Sequence, residues 1–381
     1  MRIFECPNSS FRLRVSDLDN LTHTLAAVTM SHAGLNRKTR FATLVLIAGS
    51  NLPDIDVVSR IDSSATYLKY HRGITHSILG VTVLGIGLAL VTYYLGRKAA
   101  PKKNAPPVDA TWLLVSSLLA TAAHLLLDFT NAYGVRPFLP FSGRWYAWDI
   151  MFIIDPLLIF LLVIGFAVSA LFRLVSEEVG ARKTDFRRGA IFALCALVVL
   201  WGVRDFAHRR VLAMLDSHTY LQENPRLIGA FPTPMNPFEW TGVVETDSVY
   251  HLLTANALGG DVDVEHTRVF RKSEPAPPLD AAMKTRTAAI FLDFARFPWG
   301  IVEENENGYE VTLRDLRFLS SATSRRGFVV DINLDKNLHV RSESFSFSAP
   351  SRRGETHTPG EEEEPRSSAG GATPGRLANR R

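Results

Sequence analysis

Histidines and aspartates stand at the ends of apolar runs, where ionisable side chains are rare. His23 opens one such run, and Asp54 and Asp56 close a second, in SNLPDID. His71, Arg72, Thr75 and His76 come just before a third, in HRGITHS. His124 and Asp128 close a fourth, in AAHLLLDFTN, and Asp149 and Asp155 flank the start of a fifth, in WDIMFIIDP. Ionisable groups near a bilayer interior are costly and mark functional sites. The spacings suit metal ligation. His124 and Asp128 are four residues apart, so they share one helix face. Asp54 and Asp56 present two carboxylates from one turn or extended segment. His71 and His76 bracket Gly73, which lets the backbone bend both rings inward. Histidine with aspartate, and no usable cysteine, favours zinc first and manganese second, at a hydrolytic centre rather than a zinc finger. So many donors suit two or three divalent ions better than one. Arg72 could pair with an anionic, phosphate-like group, because a guanidinium matches phosphate bidentately. Asp56, or Asp54, is the candidate general base.

Each residue also has a plainer reading. Asp54 and Asp56 could be solvated acids in a turn, Asp128 a span end, and Arg72 an interfacial anchor. His76 beside Ser77 could belong to a helix cap. Asp155 before Pro156 has the form of an N-cap with proline at the first helical position. His124, deep in an uncharged run and one turn from Asp128, resists such a reading most.

The elements that must position these groups are membrane spans. Ile78–Gly96 is a 19-residue uncharged run, which as a helix would reach about 28 Å, close to a bilayer's hydrocarbon thickness. Thr111–Leu127, Pro156–Phe172 and Gly189–Val203 are three more uncharged runs. Leu21–Leu35 and Phe41–Pro53 are shorter and predict a tilted or re-entrant helical hairpin. Basic clusters at Arg37, Lys38 and Arg40, at Arg97, Lys98, Lys102 and Lys103, and at Arg182, Lys183, Arg187 and Arg188 all fall on one side. That side is cytoplasmic by the positive-inside rule. The His and Asp groups and everything after Arg204 are then non-cytoplasmic, on a multi-pass protein of a bacterial inner membrane. Residues 1–20 lack the apolar core of a cleavable signal peptide.

The predicted fold is a polytopic α-helical membrane domain, with four long spans plus a short N-terminal helical hairpin, followed by a small α+β, mainly antiparallel-sheet domain. The expected divisions are an N-terminal segment (1–20), a transmembrane metal-site domain (21–204), an extramembrane α+β domain (205–347) and a disordered tail (348–381). Runs such as VVETDSVYHLLTA, AAIFLDFARFPWGIVEE, GYEVTLRDLRF and FVVDINL read as strands between turn signals. The tail is Ser, Pro, Gly and charge, including Glu361–Glu364. Of 381 residues, 46% are hydrophobic and 21% charged, which excludes disorder for the bulk of the chain. Two cysteines, one of them (Cys195) inside an apolar run, exclude a disulfide scaffold. The net charge of +4 gathers at span ends and in the tail, a membrane-topology pattern and no nucleic-acid groove.

HRGITHS, with PDID upstream and AHLLLDFTNAYG downstream, resembles the YdjM-like family of membrane-bound metal-dependent hydrolases, described as LexA-binding and inner-membrane-associated. DNLTHTL at the start, RPFLPFSGRWYAWD (Arg136–Asp149) and NPFEW (Asn236–Trp240) resemble its YfhP-like branch, and the resemblance covers roughly residues 18–345. The family is related to helical phospholipase C and P1 nuclease enzymes with a three-metal cluster. The resemblance therefore implies phosphoester hydrolysis and nominates His23, Asp54, His71, His76, His124 and Asp128 as ligands, with Asp56, Asp149 and Asp155 beside them. LexA binding needs a cytoplasmic surface and is not carried over.

Three functions are open at this level. The first is a metal-dependent hydrolase of a small-molecule or lipid phosphoester, with membrane lipids as neighbours. The second is a non-enzymatic membrane protein with a structural metal cluster and a partner-binding extramembrane domain. The third is a transporter, against which stand the gathering of polar groups at one face and the absence of an internal repeat.

Overall fold

The computed structural model describes residues 15–100, 105–178, 186–259, 262, 267–319 and 326–348. Residues 1–14 of the expected N-terminal segment, Lys102, Lys103, Arg182, Lys183 and the expected tail beyond residue 348 lie outside the described residues. Nine α-helices among those described are α1 (Val15–His32), α2 (Ala42–Gly49), α3 (Ser64–Tyr70), α4 (Ile78–Lys98), α5 (Ala110–Thr130), α6 (Pro156–Glu178), α7 (Arg187–Asp216), α8 (Pro277–Met283) and α9 (Arg286–Phe294).

Three helices, α4, α5 and α7, are long and apolar enough to cross a membrane, and α2 with the 3-10 helix Leu52–Ile61 forms a broken fourth candidate bent by 40°. α6 adds an apolar helical stretch at Pro156–Leu171. The exposed faces of α4 and α7 carry large apolar side chains, among them Val83, Ile86, Leu90, Phe192, Val198 and Val199. Between helices the contacts use small residues. A Cβ on Gly189 would lie 2.2 Å from the carbonyl oxygen of Gly165, so α6 and α7 meet backbone to backbone.

Capping follows the sequence. Ser77 accepts from the Gly80 amide to open α4, and Asp109 accepts from Trp112 to open α5. The fourth expected span does not stop at Arg204. α7 runs 30 residues to Asp216, because Leu200, Arg204, Ala207, Val211 and Leu215 make one buried stripe at helical spacing. Arg204 inside that stripe is neutralised by Asp155 at 2.9 Å.

After α7 the chain forms two four-stranded antiparallel sheets. The first has the order β1 (Leu227–Pro232), β2 (Glu239–Glu245), β3 (Val249–Asn256), β4 (Arg268–Arg271). The second has β5 (Pro298–Asn305), β6 (Gly308–Asp315), β7 (Arg326–Asp335), β8 (Val340–Ser348). The first sheet packs Trp240, Val244 and Leu253 on the end of α7. The second encloses Phe291, Phe294, Val330 and Ile332 together with Leu68 of α3 and Tyr133. One strand-like run is therefore a helix. In AAIFLDFARF, α9 starts at the Thr285 cap and buries Thr287, Ala288, Phe291 and Phe294, a period of three to four rather than two.

Candidate metal centre

Local sequence sets the geometry of each arm. α2 ends where Pro53 forbids continuation, at Asn51–Leu52–Pro53. The broken helix leaves the Ser50 carbonyl without its usual i+4 donor, and His124 Nδ1 takes that place at 2.7 Å. Asn51 closes the same break by donating to the Ile47 carbonyl and to Thr24 of α1. The 3-10 helix then carries Asp54 and Asp56 inward. α3 terminates at His71, Arg72 adopts a left-handed φ of 53°, and a Cβ on Gly73 would sit 2.6 Å from the Tyr70 carbonyl. That turn needs glycine, and it points His71 and His76 at the same carboxylate.

Asp56 is the hub of the outer layer. Its Oδ1 lies 3.0 Å from His71 Nδ1. Its Oδ2 accepts from the Arg72 amide at 3.0 Å and the Thr75 hydroxyl at 3.1 Å, and lies 3.2 Å from His76 Nδ1. His76 thus has Nδ1 directed at an anion, and His124 has Nδ1 directed at a carbonyl. Both rings carry their donor hydrogen on that side, which leaves both Nε2 lone pairs facing the centre. Those two Nε2 atoms are 3.0 Å apart in a pocket where both rings are 0% exposed.

Asp128 Oδ2 lies 3.3 Å from each of these nitrogens, and Asp54 Oδ1 lies 3.4 Å from His76 Nε2 and 3.7 Å from His124 Nε2. Tetrahedral zinc, with bonds of about 2.0–2.1 Å, places its donors about 3.3 Å apart. The spacing and the two-His, two-Asp chemistry both fit such an ion. Two overlapping sets of donors adjoin it, His23 with Asp54 and His124, and Asp54 with Asp56 and His71, each with ligand atoms within 4.8 Å of one another. Asp54 belongs to both and is the most open of the four inner ligands, with 19% of its side chain exposed. His23 stacks on His124 with ring centroids 4.0 Å apart and sits 3.4 Å from Asp128 Oδ1.

Burial opposes charge on His76, but hydrogen bonds to Asp128, Asp54 and Asp56 outweigh it and raise its pKa well above the ordinary histidine value. Burial likewise pushes the Tyr133 hydroxyl up.

Six of the residues predicted as ligands, His23, Asp54, His71, His76, His124 and Asp128, come together here, with Asp56 among them. Asp149 and Asp155 do not join them. Arg296 holds Asp149 bidentately at 2.6 and 2.8 Å. Asp155 accepts from the Leu157 and Leu158 amides as an N-cap and pairs with Arg204. Arg72 is 2% exposed and turned inward, with its guanidinium 2.8 Å from Asp128 Oδ1, 2.8 Å from Asn131 Oδ1 and stacked over Tyr133. Its contacts orient the Asp128 carboxylate. Sequence reasoning passed over Asn131 and Tyr133, although both stand in the quoted DFTNAYG, and passed over Arg296 and Arg317. The last two reach back more than 100 residues to grip the Ala132 carbonyl, at 3.3 and 2.8 Å.

The model of the YdjM inner membrane protein family matches residues 18–211, which contain the entire cluster. The chain belongs to the YdjM inner membrane protein family. In this YdjM-family chain the model of the YfhP C-terminal alpha/beta plait domain matches residues 277–352. That match covers α8, α9 and the second sheet. An uncharacterised protein named YfhP from Bacillus subtilis (strain 168) is 28% identical over 325 residues, spanning 84% of this chain and 88% of its own. No solved structure matches the chain. Family and apolar helices together make it a membrane protein.

Proposed function

We propose that this chain is a membrane-bound, metal-dependent hydrolase acting on a phosphoester at the bilayer surface. The observation that supports this best is the pair of buried Nε2 atoms, 3.0 Å apart, each fixed in its tautomer by an acceptor on the far side of the ring. Imidazoles held this way are arranged as ligands, with Asp56 and the Ser50 carbonyl as their outer supports. Divalent ions, zinc first, would be held by His76, His124, Asp128 and Asp54, with His23, His71 and Asp56 adjoining. A bound ion would act as a Lewis acid and lower the pKa of water at the site. The protein's own groups divide the remaining work. Arg72 holds Asp128 in place, Asp56 orients His71 and His76, and Asp54, on the open side, is the carboxylate placed to take up a proton from entering water. The orientation rule puts this face outside the cytoplasm.

The test is metal analysis of the detergent-purified protein, with turnover of a generic phosphodiester and of phospholipid in mixed micelles, for wild type and His76→Ala. Bound metal, with turnover lost in the variant, supports the reading. Metal-free protein, or unchanged turnover in the variant, defeats it. One observation favours a structural ion instead: His76, His124 and Asp128 are a fully buried donor set with Asp54 beside it, enough donors for a four-coordinate ion. On that reading His76→Ala lowers stability and no substrate is turned over.

A further inference from the structure

A second concave site lies at the opposite end of the helical bundle. It is a cavity of about 550 Å³ formed where α1 ends and where α5 and α7 begin. Met30, Leu119, Leu194 and Trp112 make its apolar wall, and Arg37, Lys38 and Arg187 supply its charge. No carboxylate is among the described residues that line it. Two of the three cations are held in position. Arg187 Nε donates to the Ala33 carbonyl at the end of α1, at 3.2 Å. Lys38 Nζ lies 4.6 Å from the centroid of the Trp112 ring. Gly34, with a φ of 141° that favours glycine, turns the chain from the end of α1 toward Arg37 and Lys38.

We infer that this cavity binds an anionic phospholipid, with the headgroup phosphate between Lys38 and Arg187 and an acyl chain along Met30, Leu119 and Leu194. Topology signalling requires basic residues in the loop but does not require that they be pinned around a hollow. The apolar wall continues inward from the charges, as a lipid needs and a free phosphate does not. Basic pockets between membrane helices on the cytoplasmic side recognise anionic headgroups in this manner. Trp112 to His124 spans 12 residues of α5, about 18 Å of helix, so the site is separate from the metal centre.

The test uses the full chain in phosphatidylcholine nanodiscs with increasing brominated phosphatidylglycerol, reading quenching of Trp112 as the difference between wild type and Trp112→Phe. Each basic residue near a lipid surface contributes about fivefold to such a preference. Wild type should therefore be quenched at several-fold lower brominated phosphatidylglycerol than brominated phosphatidylcholine. Lys38→Ala with Arg187→Ala should bring the two lipids level, while Arg187→Lys, which keeps the charge, should retain most of the preference. Inorganic phosphate at millimolar concentration should leave quenching unchanged. Equal quenching by both lipids in wild type, full preference in the double variant, or competition by inorganic phosphate would each overturn the inference. Metal content, which the cavity residues do not touch, reports that the variants are folded.

Discussion

Asp128→Asn separates electrostatic from ligand roles at the centre. The amide preserves volume and removes one negative charge from a residue that is 1% exposed. Its partner Arg72, 2% exposed, loses the carboxylate and keeps neutral partners, among them the Asn131 side chain at 2.8 Å and the residue 128 carbonyl at 3.5 Å. Breaking a buried pair from one side costs ~3–5 kcal/mol. The amide oxygen can still accept one hydrogen bond from the guanidinium, which returns ~1 kcal/mol. The expected loss is therefore ~2–4 kcal/mol, or roughly 3–5 °C in melting temperature for a chain of 381 residues. It should be measured on the chelator-treated protein, so that metal does not contribute. Asp54→Asn is the control, because Asp54 faces His76 and His124 rather than a buried guanidinium and its side chain is partly open. It should lower metal content while leaving the metal-free melting temperature within about a degree. An Asp128→Asn protein that melts with wild type in chelator and binds metal at wild-type stoichiometry would refute the assigned geometry.

Other outcomes are expected. A metal ion and a proton would compete for His76, whose pKa is raised by its carboxylate partners, so metal affinity should rise with pH below that raised pKa, and calorimetry in buffers of different ionisation enthalpy should show proton release. For the metal-free protein the sign is opposite: the raised pKa stabilises the fold below about pH 6.5, and that contribution is lost as pH rises through the folded-state value. Chelation should lower the melting temperature of the wild type, and zinc at a hundredfold over its Kd should restore ~2.7 kcal/mol. Gly189→Leu should force α6 from α7 and cost ~1–3 kcal/mol or more in thermal unfolding, with Gly202→Leu, where added atoms meet nothing nearby, as the neutral comparison. Arg296→Ala should make the second sheet easier to cleave by protease while metal content stays within error, since it breaks the Asp149 bond but leaves Arg317 donating to the Ala132 carbonyl at 2.8 Å.

Much of the centre was legible because ionisable side chains stand out against apolar runs. His124 and Asp128 were paired by helical spacing alone, and HRGITHS announced its turn through Gly73. Asp149 and Asp155 carried the same composition signal but serve different partners. Asp155 follows the capping pattern that the sequence also offered, and its second partner, Arg204, lies 49 residues later. Asp149 answers to Arg296, whose distance in sequence hides the pairing. Strand and helix were confused at AAIFLDFARF because short apolar runs fit both periods until the Thr285 cap is weighed. The uncharged run of the fourth span ends at Arg204, and the sequence from Asp205 to Asp216 reads as a basic, partly helical exit; that this is one continuous helix with Arg204 paired to Asp155 is visible only in the fold.

The double grip on the Ala132 carbonyl bears on the order in which the protein is made. Residue 132 leaves the ribosome far ahead of Arg296 and Arg317, yet it lies one position from Asn131, the side chain that steadies Arg72. The loop behind Asp128 is held early by Arg72 and by residues 146–151, but the Ala132 carbonyl lacks both arginine donors until β6 has been synthesised. A nascent chain halted after α7 would own every inner donor and still lack these two contacts, so the last fastening beside the centre comes from the far end of the polypeptide.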